Sequence, residues 1–270
     1  MDAPFGPEIS VPVTFTRESL DGLYNRYNRS RFIHPDPLEY VYHYPEAEDR
    51  EVVGFIASAL AYGRVAQILK SVRSILDKLG PAPAKRIRRA REGTFARDLS
   101  GFKHRFTTGA DLCRLLDGLK RALKRHGSLE GCFLSRFDPA SPTVLPALCG
   151  FAEELADCDC ATAGMLLPSP ERGSACKRLN LFLRWMVRTD DVDPGVWKGV
   201  PASKLIVPLD THMHRLARQM GLTQRSQADM RTALEITERF RTIAPMDPVR
   251  YDFALTRLGI RQALDRDGVL

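Results

Sequence analysis

Apolar residues recur at helical spacing along most of this chain. From Glu51 to Tyr62, the positions Val52, Val53, Phe55, Ile56, Ala59 and Leu60 predict a buried helix that Gly63-Arg64 breaks. Ile68, Leu69, Val72, Ile75, Leu76 and Leu79 predict a second, stopped by Gly80-Pro81. Leu112, Leu115, Leu116, Leu119 and Leu123 repeat the pattern over 111–126, and Gly127 ends it. Further helices are expected over 144–155, 174–187, 211–220 and 227–240. Asp247-Pro248 reads as the start of a last one, with Phe253, Ala254, Leu255 and Leu258 on its apolar face and Gly259 at its end. Prolines make 167–173 a turn, and residues 189–209 read as a long loop. A loop of that length inside a compact domain is functional or disordered. No useful strand alternation is present. The expected fold is all-α, a multi-helix globule of two lobes, one over about 50–166 and the other over about 1–49 plus 167–270.

Composition narrows the class. Hydrophobic residues make up 44% of the 270, enough for a packed core. No apolar run approaches the roughly 20 residues of a membrane span, and the start of the chain lacks a secretory pattern, so a cytoplasmic protein without membrane partners is expected. The six cysteines form no C-x-x-C pair, and Cys158-Asp159-Cys160 is too isolated for a structural zinc site, so reduced thiols are expected. The formal charge is +7, but its distribution says more than its total. Residues 64–125 hold 17 Lys/Arg against 5 Asp/Glu, whereas residues 1–63 hold 5 against 10. The stretch 85–92, KRIRRARE, is expected to be exposed. A clustered basic field attracts a polyanion by releasing its counterions.

Two segments carry candidate chemistry. In the first, Gly173-Ser174-Ala175-Cys176-Lys177-Arg178-Leu179, a turn glycine precedes a helix start whose free amides suit a phosphate. Lys177 stands in the first turn of that helix. The positive helix end, Arg172 and Arg178 nearby, and partial burial weigh against its carrying a proton, and an unprotonated amine is a nucleophile. Alone, the same lysine reads first as a solvated surface residue. In the second segment, the apolar run Ile206-Val207-Pro208-Leu209 delivers Asp210 to a helix start. An ionised carboxylate there is either an N-cap alone or a group that steadies an oxocarbenium-like sugar and accepts a proton. His212 and His214, two apart on a helix, point in different directions and make no metal pair.

Together, Gly173, Lys177 and the segment Leu209-Asp210-Thr211-His212 resemble the core of the helix-hairpin-helix DNA glycosylase superfamily. The interval of 33 residues between Lys177 and Asp210, with YDFALTRLGI at 251–260, most resembles a bacterial family related to archaeal-type 8-oxoguanine DNA glycosylases. The resemblance implies a helix-hairpin-helix motif and a monomer that acts on double-stranded DNA carrying a damaged base. It implies Lys177 as nucleophile, Asp210 as partner carboxylate, and excision of an oxidised purine such as 8-oxoguanine with strand cleavage at the abasic site (AP lyase activity). Gly173, Ser174, Ala175, Arg172, Arg178 and Lys204 are the expected DNA contacts; Tyr62, Phe182, Trp185, Trp197 and Pro201 are the expected walls of a base pocket. No metal or other cofactor is expected, and no iron–sulfur cluster, because the C-terminal four-cysteine pattern of the cluster-bearing members is missing. Ala175 stands where many hairpins have a second glycine, and Leu181 where a stacking ring is expected. The competing readings are a non-catalytic nucleic-acid-binding helical module and a basic helical protein with an acidic partner.

Overall fold

The computed structural model describes residues 16–156 and 166–257. Its helices follow the apolar pattern closely. Helix α1 (Arg17–Tyr27) and two 3-10 turns, Ser30–Phe32 and Pro37–His43, lead into α2 (Ala47–Ala59). Then come α3 (Val65–Leu79), α4 (Pro83–Arg89) and α5 (Thr94–Asp98). A two-residue hairpin, β1 (Lys103–His104) with β2 (Thr107–Thr108), leads to α6 (Gly109–His126), α7 (Leu129–Leu134) and α8 (Leu145–Leu155). The last named helices are α9 (Lys177–Val187), α10 (Thr211–Gln219) and α11 (Met230–Ile243), with a further helical segment at 252–257. The fold is all-α apart from the small hairpin. No helix among the described residues is long and apolar enough to cross a membrane.

Caps set the ends. Thr108 Oγ1 accepts from the Asp111 amide, and the Asp111 carboxylate accepts from the Thr108 amide at 2.7 Å, a reciprocal box that starts α6. Gly127, at φ +82°, stops it. Helices α2 and α9 are buried nearly all round, and they pack on each other at the core. Gly54 lies at their contact, where a Cβ would stand 2.8 Å from Met186 Cε, the movable end of a flexible side chain. Phe55 of α2 and Phe182 of α9 interlock with Phe133, Phe151 and Trp197, with Phe55–Phe182 centroids 5.1 Å apart and Phe182–Trp197 5.3 Å. The buried residues form one contiguous cluster from Leu20 to Leu255, drawn from both segments expected to be lobes.

A second close contact gives a stability prediction. Gly118 in α6 lies against the end of α8, where a Cβ would run into the Leu155 carbonyl oxygen. Gly118→Ala is expected to destabilise the fold by about 2 kcal/mol, despite alanine's better helix propensity, because backbone gives way less easily than a side chain. Urea denaturation would read this, and a midpoint equal to wild type would refute it.

Several boundaries differ from expectation. The 174–187 helix starts only at Lys177, because Cys176 is left-handed at φ +46° and Ser174 bridges to Asp229. Asp247-Pro248 opens a turn, and the helix starts at 252. Its expected cap is committed elsewhere, since both Asp247 carboxylate oxygens accept from Arg188 Nε, at 3.1 and 2.9 Å. The basic stretch 85–92 is partly structural: Ala84 and Ile87 are buried under α4, and Arg88 makes a two-pronged pair with Glu48. Lys85, Arg86 and Arg89 stay exposed, as expected. Cys158, Cys160, Leu258 and Gly259 lie outside the described residues, as does part of the α8–α9 connection, residues 157–165. The four described cysteines are free thiols.

Candidate active site

Lys177 and Asp210 meet. The lysine Nζ lies 3.6 Å from Asp210 Oδ2, with the two side chains 31% and 37% exposed. Each stands at a helix start. Lys177 is the first residue of α9, whose N-cap, Cys176, makes no side-chain cap bond. Gly173 (φ +78°) and the left-handed Cys176 bend the chain into that start, and the Cys176 thiol donates to the Pro168 carbonyl. Burial pushes that thiol up to about 11, which keeps it protonated and unreactive beside the lysine. Asp210 caps α10, accepting from the Met213 amide at 2.8 Å. It is held there by the run 205–209, which is fully buried and tied down where the Val207 amide donates to Thr237 Oγ1 at 3.0 Å. The apolar run thus works as a rod with a carboxylate at its tip.

The rest of the pair's surroundings is built from α2 and α11. The Lys177 ammonium also points at the Ala61 carbonyl, 3.5 Å away, just beyond the end of α2. Arg178 turns into the body: it donates to the Ala59 carbonyl at 2.7 Å, and its guanidinium lies 5.0 Å from the centroid of the Tyr62 ring. Burial lowers its pKa from the ordinary arginine value. On the other side, the Gly173 carbonyl accepts from the Met230 amide at 3.1 Å, which docks the turn on the start of α11.

Behind the pair runs a buried ionic network. Arg184, on α9, bridges Asp193 at 3.0 Å and Asp252 at 2.5 Å. Arg188 bridges Asp193, Asp190 at 2.8 Å and Asp247 at 2.9 Å. Burial alone would lower both guanidinium groups, but the surrounding carboxylates drive them upward, so both stay charged. Burial pushes the Asp252 carboxyl up and Arg184 pulls it down; Asp210 raises it and Lys177 lowers it, which places the network within electrostatic reach of the pair. The network also anchors the acidic part of the 189–209 loop.

The expected site residues separate into three groups. Lys177 and Asp210 come together, and Arg172, Gly173, Ser174 and Pro201 are exposed. Ala175 is buried, with its carbonyl accepting from Asn180 Nδ2, and Lys204 is half-buried and bonded to the Ser141 carbonyl at 2.6 Å. Arg178 and Lys204 are therefore fold contacts, not free phosphate ligands. Phe182, Trp185 and Trp197 are core side chains with no open face, and the Trp197 indole donates to the buried Glu51 carboxylate at 2.6 Å. Their bulk drew them into the core, so they do not wall a pocket. Tyr62 is half-buried and its hydroxyl is engaged by the hairpin. Sequence reasoning missed Arg184 and Asp252. A charged residue between Leu183 and Trp185, on an otherwise apolar helix, was the available signal for the first. Among the described residues, no group of three or more His, Cys, Asp or Glu is arranged to hold a metal.

Residues 36–261 match the family described as "Protein of unknown function (DUF2400)". The chain belongs to that family. No curated protein and no solved structure matches this DUF2400 chain. The matched region takes in both Lys177 and Asp210.

Proposed function

We infer that this DUF2400 chain is a DNA glycosylase with AP lyase activity. The observation that carries the reading is the meeting of an amine and a carboxylate at 3.6 Å from positions 33 residues apart, both partly open to solvent. An ion pair serving stability alone is worth little at such exposure. Two helix starts and a buried rod would be an elaborate support for it.

The geometry suits nucleophilic excision. The Lys177 nitrogen, in its unprotonated form, attacks C1′ of a damaged nucleotide. The C1′–N bond breaks, its electron pair leaves with the base, and Asp210 faces the positive charge that develops at C1′ and takes the proton shed by the attacking nitrogen. Opening of the sugar gives an iminium at C1′. Loss of a C2′ proton then expels the 3′ phosphate and cuts the strand. The basic excess over 64–125 supports a polyanionic substrate, and the start of α9, free of a side-chain cap, suits a backbone phosphate. Double-stranded DNA with an oxidised purine such as 8-oxoguanine is the proposed substrate, on the family resemblance of the Lys177–Asp210 segment. The protein acts as a monomer and needs no metal or cluster.

Borohydride trapping tests this reading. Wild-type protein is expected to form a covalent adduct with duplexes carrying an abasic site or 8-oxoguanine. Asp210→Asn keeps a capping side chain but removes the charge, and it is expected to slow base release by roughly a hundredfold or more. No adduct on any member of a broad lesion panel would leave a non-catalytic nucleic-acid-binding module as the better description.

A further inference from the structure

Between the end of α3 and the outer face of α4 lies a cleft of about 280 Å³. Gly80, at φ +74°, ends α3, and Pro81 and Pro83 carry the chain into α4. One face of α4 is committed to the body of the protein. The Ala84 amide donates to Asp49 Oδ1 at 2.8 Å, and Ile87 is buried. Arg88 shares that face and bonds Glu48 at 2.9 and 2.7 Å. The opposite face carries Lys85, Arg86 and Arg89, which are exposed and line the cleft. Leu79, Pro81 and Ala82 supply its apolar wall.

No acidic side chain lines this cleft. Arg86 bridges Asp98 at 2.9 Å, with 45% of its side chain still exposed. The side chains of Lys85 and Arg89 make no ion pair or hydrogen bond among the described residues. They stand four apart on α4, where like charges repel, and an anion between them removes that repulsion. The start of α4 is not the attraction. The helix has only seven residues, and Asp49 already takes the Ala84 amide, so recognition falls to the side chains. Ammonium and guanidinium groups hold phosphate, the second through two parallel bonds. The apolar wall narrows the choice. A bare phosphate has nothing to place on Leu79 and Pro81. Neither has a duplex backbone, which meets a protein as a ridge of sugar and phosphate. A small molecule with phosphates on a flat, weakly polar body uses both halves of the cleft.

We propose that this cleft binds a phosphorylated small molecule of nucleotide type, with its phosphates on Lys85, Arg86 and Arg89 and its flat part against Leu79 and Pro81. The cleft shares no residue with the Lys177–Asp210 pair, and the proposal stands whether or not that pair excises a base.

Calorimetric titration of the full chain with ADP, pyrophosphate and adenosine tests this. ADP is expected to bind at one site per chain, about fivefold more tightly than pyrophosphate, with adenosine binding too weakly to detect. Lys85→Ala and Arg89→Ala are each expected to weaken ADP about tenfold. Ala82→Leu narrows the cleft and keeps every charge, and it is expected to weaken ADP by a similar factor and pyrophosphate less. Alanine suits an exposed helical position, so the two charge variants keep their fold; thermal melting checks all three. No heat of binding with ADP at millimolar concentration would overturn the proposal, as would equal affinity for ADP and pyrophosphate. ADP affinity unchanged in Lys85→Ala and Arg89→Ala would do the same. So would a short DNA duplex that displaces ADP and weakens in step with it in both variants, since the cleft would then be a stretch of DNA-binding surface.

Discussion

Lys177→Ala is expected to abolish borohydride trapping and to cut strand scission at abasic sites by at least about a thousandfold, because in the proposed mechanism this amine supplies the covalent bond. The loss would not come from unfolding. Lys177 is about a third exposed, its pair with Asp210 is partly solvated, and such pairs contribute about 0–1 kcal/mol. Lys177→Arg separates charge from chemistry. It keeps a cation opposite Asp210, but a guanidinium is always protonated and is no nucleophile, so trapping is expected to fail here as well. Either variant is expected still to bind an abasic-analogue duplex, since the groups proposed to face phosphates are untouched. Trapping at wild-type levels by Lys177→Ala would remove the lysine from the mechanism.

Arg184→Ala is expected to destabilise the protein by about 3–5 kcal/mol, lowering the thermal midpoint by roughly 10 °C. The guanidinium is 4% exposed and sits between Asp193 and Asp252, both buried, and removing it leaves two carboxylates without their main partner in low dielectric. Exposed pairs set the contrast: Arg125→Ala, which breaks a solvated bridge to Glu154, should cost under about 1 kcal/mol. Equal urea midpoints for Arg184→Ala and Arg125→Ala would show that the network is not what holds α9 to the 189–193 loop.

Local pattern carried the helices well. The leucine stripe of α6, its stop at Gly127, and the apolar run before Asp210 all depend on neighbours a few residues away, and each stands where the spacing put it. Errors arose where a distant partner competed for a local signal. Asp247 reads as a helix cap and instead serves Arg188, 59 residues away. Ser174 reads as a helix start but pairs with Asp229. Short elements such as α5, α7 and the hairpin carry too few residues for a period to emerge.

For the candidate site, the family resemblance supplied the amine and the carboxylate, which spacing alone left as a surface lysine and an N-cap, but not their surroundings. Arg178 near a phosphate turn and Trp197 near a pocket were reasonable from residue type. In the fold, Arg178 satisfies the carbonyl end of α2 and Trp197 fills the core with its indole on Glu51. What the amino-acid order determined by itself was most of the longer helices, the turn that precedes Lys177, and the apolar run that carries Asp210. These follow from backbone preference and apolar period within one segment. Only the tertiary structure decided that the two groups meet and that Arg184 is buried between Asp193 and Asp252. Those facts depend on which distant segments share a buried surface, and a one-dimensional pattern does not encode that choice.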